Sequence, residues 1–262
     1  MEKVIAPSAL VAEAADVIAP FWKDVVVVGA AALQVVLADS IGRNEGVTPT
    51  RDLDLAIVTP TRDVDLAVET AQAEAVIVAL EGAGLAQSAE PHEQGFTWVR
   101  GDLKIQLMRP FHPFPPARVA PLPTNDVSKE LREDVHRDVI AFADDPTTLR
   151  LQSASAAALV ALKEAAFGRT RPDNQPVERD YHDVYLVIRE RSDDVERSYR
   201  PASFHIRSRV DRALTILAED GEATQAAARQ EMLITGRGNP REIAENIRRT
   251  AIFLQRRLAI EA

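Results

Sequence analysis

The chain has 262 residues, of which 46% are hydrophobic and 27% are charged, and its net charge is −9. This composition is typical of an ordered globular protein and argues against intrinsic disorder. Cysteine is absent, which excludes disulfide bonds and thiolate metal sites, so a metal would need oxygen or imidazole ligands. No apolar run approaches the roughly 20 residues that cross a bilayer, and the N-terminus lacks a signal-peptide pattern. We therefore expect a cytoplasmic protein without membrane contacts.

The first elements of the chain alternate between helix and strand. Ser8–Ile18 is predicted as an amphipathic helix, and Asp24–Val28 as a strand buried on both faces because valine occupies four consecutive positions. Gly29 ends this strand, and Ala30–Asp39 is predicted as a helix. A glycine at a turn from strand to helix lets backbone amides approach a phosphate, and the helix directs its positive end at that anion.

A nine-residue motif then occurs twice, as Thr48–Ala56 and, nearly unchanged, as Thr59–Ala67. Each copy contains the pattern Asp-x-Asp, so two acidic pairs compete for one role. Leu53–Val58, which begins within the first copy, is predicted as a strand because its run of mostly apolar residues ends at the Thr59-Pro60 step. Residues two apart on a strand point to the same face, so Asp52 and Asp54 would direct both carboxylates the same way.

The second copy precedes an alanine-rich stretch, and Val64–Glu81 is predicted as a helix. Thr61 or Asp63 would then be the N-cap of this helix, where a carboxylate favours the positive helix end. We therefore assign the active pair to the first copy.

The remaining elements are predicted from turns, caps and prolines. Phe96–Arg100 and Leu103–Met108 form a predicted hairpin, and a proline-rich connection follows over Pro110–Pro123. A last strand is predicted at Leu149–Gln152. Two helices come next, one capped by Ser153 and running to Phe167 with Gly168 after it, and one over Arg179–Arg191. The rest of the chain is predicted to be mostly helical. The fold class is thus α/β (α+β), with an α/β domain over residues 1–123 and a mainly helical domain over residues 124–262.

Two neighbouring carboxylates repel each other unless a cation lies between them. A hard divalent ion, Mg²⁺ or Mn²⁺, held by Asp52, Asp54 and substrate phosphates relieves this repulsion and can stabilise an in-line displacement at phosphorus. Neither the acidic pair nor Gly29 is specific alone, but their order along the chain is moderately specific.

Two stretches, Gly29–Leu33 and Thr50–Leu55, resemble the polymerase-β-like nucleotidyltransferase superfamily, in which a small-residue turn precedes a strand bearing Asp-x-Asp. Two further stretches, Leu159–Arg169 and Arg179–Leu186, look like the AbiEii/MenT-type branch of toxins from type IV toxin–antitoxin systems. The resemblance implies a nucleotidyltransferase-fold mixed sheet with flanking helices, followed by a C-terminal helical domain that contributes to the active-site cleft.

The resemblance also implies roles for individual residues. Asp52 and Asp54 would hold the metal ions, Lys163 would reach a phosphate, and Asp180 and Asp183, which share one helix face, would complete the catalytic site. The nucleotide contacts implied by the resemblance are Gly29, Ala30, Thr50, Arg51 and Arg169. Without the resemblance, Lys163 would be interpreted as a surface lysine, and Asp180 as the ion-pair partner of a neighbouring arginine.

This sequence departs from the superfamily pattern at two positions. Ala30 stands where the family turn usually has serine or glycine, which removes one hydrogen bond to a phosphate. Gln106 stands where the superfamily often has a third carboxylate, and glutamine cannot act as a general base. Asp102 or Asp180 would have to compensate for it.

We therefore predict a metal-dependent nucleotidyltransferase that moves a nucleoside monophosphate from a nucleoside triphosphate to an acceptor hydroxyl. The resemblance implies an RNA, for instance a tRNA 3′ end, or a protein as acceptor, and an antitoxin as partner. One alternative is a degenerate relative that binds nucleotide or a partner without turnover. Another is a nucleotidyltransferase that modifies a small molecule, such as an antibiotic.

Overall fold

The structure is a computed structural model of the whole chain, and it describes residues 9–41, 63–110, 112–124, 135–142, 145–167 and 178–260. Within these residues the chain forms two compact units. The first contains the described residues up to Asp39 and from Asp63 to Ala154, and the second contains those from Ser155 onward together with Ser40 and Ile41. The first unit is built on a sheet and the second consists of helices. The predicted α/β class with a C-terminal helical region is therefore confirmed.

The first unit contains three helices and seven strands among the described residues. The helices are α1 (Ala9–Ile18), α2 (Gly29–Ile41) and α3 (Ala73–Gly82), with a single 3-10 turn at Ala19–Phe21. The strands are β1 (Val25–Val28), β2 (Val64–Val68), β3 (Ala86–Gln87), β4 (Thr97–Arg100), β5 (Leu103–Met108), β6 (Val135–Phe142) and β7 (Asp145–Ala154). The predictions for the first helix, the valine strand, the helix after it and the hairpin are confirmed to within a few residues.

The strands form one mixed sheet in the order β3-β4-β5-β2-β1-β7-β6. β1 is antiparallel to β2 and parallel to β7, while β2 is parallel to β5. All four valines of β1 are buried, as expected for a strand in the middle of a sheet. Helix α1 packs on α3 and on strands β2, β5 and β7, which covers one face of the sheet.

The second Asp-x-Asp motif lies on strand β2, so the predicted helix over Val64–Glu81 is wrong before Ala73, where α3 begins. Val64 and Leu66 are fully buried while Asp65 between them is partly exposed. This alternation with a period of two fits a strand with one core-facing side. Pairing with β1 and β5 outweighs the helix preference of the alanines that follow. The predicted strand Leu53–Val58 lies outside the described residues.

The sheet extends further along the chain than the sequence indicates. β6 and β7 form a long antiparallel pair that adds to the sheet beside β1, so the first unit reaches Ala154. The sequence places the domain boundary after residue 123, at the end of the proline-rich connection. Within its described residues, Pro110 and 112–123, that connection has no helix or strand of its own, but the chain returns from it to the same sheet.

The second unit consists of six helices within the described residues. They are α4 (Ala156–Ala166), α5 (Glu178–Glu190), α6 (Ser192–Tyr199), α7 (Phe204–Glu219), α8 (Gly221–Thr235) and α9 (Pro240–Ala259). The core of this unit forms where α4 packs on α5 and α7 and where α8 packs on α5 and α9. None of the described helices is both long and apolar enough to cross a bilayer.

Helix α4 begins two residues later than predicted. Its N-cap is Ser155, whose Oγ accepts a hydrogen bond of 3.2 Å from the amide of Ala158. Ser153, the predicted cap, lies in β7 and pairs with Val27 of β1. Because the strand continues to Ala154, the backbone at Ser153 is extended and the helix cannot start there. The predicted C-terminal glycine, Gly168, lies outside the described residues.

Candidate functional site

The turn between β1 and α2 brings Gly29 against an acidic side chain. Gly29 has a φ of 64°, and a Cβ placed on it would overlap Oδ2 of Asp65 and lie 3.0 Å from its Cγ. The contact follows from the register of the sheet, in which Val28 pairs with Asp65. Only a residue without a side chain allows this approach and this backbone conformation together.

The positive end of helix α2 starts at this same turn, because Gly29 is its first residue. The first amide groups of a helix have no partner within the helix, and they favour an anion. Ala30, the second residue of α2, is partly exposed there. The Asp65 carboxylate therefore lies beside backbone groups that also suit a phosphate.

Asp63 directly precedes β2 and lies two residues before Asp65, the spacing at which two carboxylates share one face of an extended chain. The opposite face carries Val64 and Leu66, which are fully buried. Two oxygen ligands on one side fit a hard divalent cation when substrate phosphates supply further oxygens. The structure thus places the second copy of the repeated motif, and not a helix cap, beside Gly29.

Gln106 of β5 is the direct neighbour of Asp65 on the other side of β2. On β5, Leu103, Ile105 and Leu107 are buried, whereas Gln106 is partly exposed on the same face of the sheet as Asp65. The strand position beside Asp65 therefore carries an amide.

Several predicted site residues lie outside the described residues. These are Thr50, Arg51, Asp52, Asp54 and Arg169. Their roles in metal and nucleotide binding stay predictions. Within the described residues, no group of three or more His, Asp or Glu side chains is arranged to hold a metal ion.

The helical unit brings Lys163, Asp180 and Asp183 together. Lys163 Nζ of α4 lies 2.5 Å from Oδ2 of Asp183 and 3.3 Å from Oδ1 of Asp180, both on α5. All three residues are buried, so Lys163 is not a surface lysine. The three-residue spacing on α5 places both carboxylates on the face toward α4, which explains how one ammonium contacts both.

Burial disfavours the charged form of Lys163, but the charges of Asp183 and Asp180 outweigh burial and raise the pKa of its ammonium above the ordinary value. The lysine is therefore a cation already neutralised by two carboxylates. A contact with a phosphate, the role implied by the resemblance, requires the ammonium to exchange partners.

A second buried polar cluster lies next to this one on α5, and the sequence did not indicate it. His182 Nε2 lies 2.5 Å from Oε2 of Glu231 on α8, and Arg189 Nη1 donates to Oε1 of the same carboxylate at 3.0 Å. Burial alone would raise the pKa of Glu231, but His182 and Arg189 lower it below its usual range. Sequence reasoning missed Glu231 because its partners are 42 and 49 positions away.

The signal for the acidic pair at Asp63 and Asp65 was present in the sequence. Val64, Leu66 and Val68 alternate with polar or small residues, which is the pattern of a strand with one buried face. The alanines downstream favour a helix and so conceal this pattern.

No protein-family model matches this sequence, and no curated protein sequence matches it. Among solved structures, the chain is similar to the protein JHP933 from Helicobacter pylori. The two share 10% sequence identity with a TM-score of 0.48, and the match covers 96% of this chain and 91% of that chain. A similarity at this level carries no argument about function.

Proposed function

We propose that this protein is a metal-dependent nucleotidyltransferase that moves a nucleoside monophosphate from a nucleoside triphosphate to an acceptor oxygen and releases pyrophosphate. The observation that carries the proposal is the contact of Asp65 with Gly29 at the start of α2. It joins an acidic strand, a glycine turn and a helix N-terminus in one place. The nucleotidyltransferase resemblance calls for a glycine turn, then a helix, then a strand with Asp-x-Asp, and Gly29, α2 and β2 follow in that order along this chain.

In this proposal the turn binds the triphosphate. Gly29 presents backbone without a Cβ, so phosphate oxygens can approach the first amides of α2. The positive end of the helix favours the phosphate charge. Ala30 has no hydroxyl to add, so binding relies on backbone groups.

Asp63 and Asp65 would hold the divalent cation, Mg²⁺ or Mn²⁺, together with the phosphates of the nucleotide. The bound cation neutralises charge that develops as the phosphoryl bond breaks. We assign this role to the second copy of the motif because it lies on a strand beside Gly29. The sequence alone assigns it to Asp52 and Asp54, which have the same local chemistry.

A purely structural role competes with this assignment, because a carboxylate next to a helix start also stabilises the helix. Asparagine caps helices about as well as aspartate, but its neutral amide is a poor ligand for Mg²⁺. Asp65→Asn therefore separates the two roles. A capping role predicts normal nucleotide binding in this variant, and a metal-binding role predicts its loss.

The experiment incubates the full-length protein with each α-labelled nucleoside triphosphate, Mn²⁺ and a cell extract containing RNA, proteins and small molecules. We expect label in an acceptor with the unmodified protein and loss of label in Asp63→Asn and Asp65→Asn. The matched variants Asp52→Asn and Asp54→Asn should retain activity. Loss only in the first-copy variants would reject the assignment to β2, and absence of both label and nucleotide binding would reject the function.

Gln106 favours a second candidate function, nucleotide binding without turnover, because an amide beside Asp65 cannot accept a proton from a hydroxyl. Tight binding of a nonhydrolysable triphosphate with Mn²⁺, combined with no transfer, would support it. The remaining candidate, modification of a small molecule, predicts label in a low-mass product.

The toxin-like resemblance adds partners to the proposal, namely an RNA or protein acceptor and an antitoxin, with a cytoplasmic location. The distribution of label between RNA, protein and low-mass fractions tests the acceptor in the same experiment. Binding of a co-expressed protein that suppresses labelling would test the antitoxin.

A further inference from the structure

A row of four positions crosses the sheet of the first unit at the candidate site. The register pairs Val28 of β1 with Asp65 of β2, Asp65 with Gln106 of β5, and Gln106 with Thr97 of β4. Paired residues on neighbouring strands point to the same face. From Asp65, the row therefore runs away from Gly29 through Gln106 to Thr97, and all three residues are on the same face of the sheet.

Thr97 is fully buried, and its Oγ1 has no hydrogen-bond partner among the residues that the structure describes. Buried hydroxyls are normally hydrogen-bonded, so the Thr97 hydroxyl is available to donate to a neighbour within the row. Gln106 is its cross-strand neighbour. A hydrogen bond from the Thr97 hydroxyl to the carbonyl oxygen of Gln106 would leave the amide NH₂ of Gln106 to donate to a ligand beside Asp65.

The charged side chain nearest to Gln106 along β5 already has an ionic partner. Lys104 lies two residues before Gln106 on the same face, and its ammonium is hydrogen-bonded to Oε1 of Glu93. Ser88 donates to Oε2 of Glu93 at 2.8 Å. Lys104 and Ser88 outweigh burial and lower the pKa of the Glu93 carboxyl, so it is a weak base.

The row thus offers hydrogen-bond donors, but among the described residues the position beside Asp65 on β5 holds the Gln106 amide, which is not a base that can activate a hydroxyl. We propose that the acceptor is an oxyanion already ionised at neutral pH, a phosphate monoester or a carboxylate, bound by the Gln106 amide. The inference rests on the proposed nucleotidyltransferase function and replaces the acceptor hydroxyl that the sequence predicts.

The reaction then needs no base. An ionised oxygen of the acceptor attacks the α-phosphorus of the nucleoside triphosphate and forms a new P–O bond. The bond between the α-phosphorus and the oxygen that bridges to the β-phosphorus breaks, and pyrophosphate leaves with that electron pair. No proton is removed from the acceptor, and the product is a phosphoanhydride or an acyl phosphate.

The test labels the same extract with α-labelled triphosphate before and after the extract is treated with a phosphatase that is then removed. Loss of label after treatment identifies a phosphate monoester. Label that survives the treatment but is cleaved by hydroxylamine identifies a carboxylate, since hydroxylamine cleaves acyl phosphates. Label that survives both treatments lies on a hydroxyl and overturns the inference.

Gln106→Glu gives a second test, in which a fall or a rise of the transfer rate distinguishes an anionic acceptor from a hydroxyl. A carboxylate at this position repels an anionic acceptor, so we expect transfer to fall by about tenfold or more. If the acceptor is a hydroxyl, the new carboxylate supplies a base and transfer rises. A rise therefore overturns the inference, while unchanged binding of the nonhydrolysable triphosphate shows that the variant is folded.

Thr97 is a positioning residue in this account. Thr97→Val removes only the hydroxyl and should raise KM for the acceptor by roughly three- to tenfold, with nucleotide binding and Tm unchanged. Thr97→Ser should restore KM. An unchanged KM in Thr97→Val would contradict the positioning role. The proposed function itself would be rejected if neither the unmodified protein nor any variant labels an acceptor or binds nucleotide.

Discussion

The carboxylate of Asp65 lies directly against the backbone of Gly29, although the two residues are 36 positions apart in the sequence. The contact exists because β1 and β2 are antiparallel neighbours and pair Val28 with Asp65. A strand, a turn and a helix N-terminus thereby meet one acidic side chain.

Gly29→Ala should abolish nucleotide binding and destabilise the protein. Alanine in the left-handed region costs about 1–2 kcal/mol, and its Cβ would also displace Asp65. Gly101→Ala is the matched control, because Gly101 has a φ of 57° in the β4–β5 hairpin and no atom within 4 Å of an added Cβ. Urea denaturation and binding of a labelled triphosphate measure the two effects. Equal binding by both variants would contradict a role for the contact.

Ser155→Ala should lower the free energy of unfolding by about 1 kcal/mol, because it removes the N-cap of α4. Ser153→Ala should have little effect or be slightly stabilising, since Ser153 Oγ is buried and finds no hydrogen-bond partner in the described part of the chain. Urea denaturation of both variants compares the observed cap with the one that the sequence predicts. A larger loss of stability in Ser153→Ala than in Ser155→Ala would show that Ser153, and not Ser155, is the N-cap of α4.

Lys163→Met should destabilise the protein by about 3–5 kcal/mol, because it removes the cation that neutralises Asp183 and Asp180 in a buried site. Adding Asp183→Asn to this variant should recover part of the loss. The control Arg249→Met breaks an exposed pair with Glu245 and should cost below about 1 kcal/mol.

A phosphate-binding role for Lys163 makes the opposite prediction, namely weaker triphosphate binding with little change in stability. Denaturation and nucleotide titration of the same samples distinguish the two. A stable Lys163→Met variant with impaired binding would show that the ion cluster is not the main role of this lysine.

Glu231 should make stability fall at acid pH. Because His182 and Arg189 lower the pKa of Glu231 in the folded protein, the unfolded chain takes up its proton first as the pH falls below the ordinary value of 4.5. The contribution is complete above that value and is lost as the pH falls through the folded pKa. Denaturation curves between about pH 3 and 7 should be less pH-dependent for Glu231→Gln.

The exposed variant Glu245→Gln serves as the control for this pH series. A pH profile of Glu231→Gln that matches that of the unmodified protein would show that the cluster around His182 does not hold the carboxylate ionised.

Elements with a strong local pattern were predictable from the sequence. Four consecutive valines before a glycine define β1 and its turn, and the Gly101-Asp102 step defines the β4–β5 hairpin. The spacing of Asp180 and Asp183 also predicts that they share a face, and the structure shows both at Lys163. In each case the information lies within a few residues, where backbone preference and side-chain periodicity act directly.

Only the tertiary structure shows that the second Asp-x-Asp motif meets Gly29. The two copies are nearly identical, so local preference cannot separate them, and only pairing with β1 and β5 makes Val64–Val68 a strand. The same holds for the extension of the sheet to Ala154, for the cap at Ser155 and for the contact of His182 with Glu231. These features depend on partners distant in sequence, because burial and hydrogen bonding are satisfied only once the strands and helices have packed together.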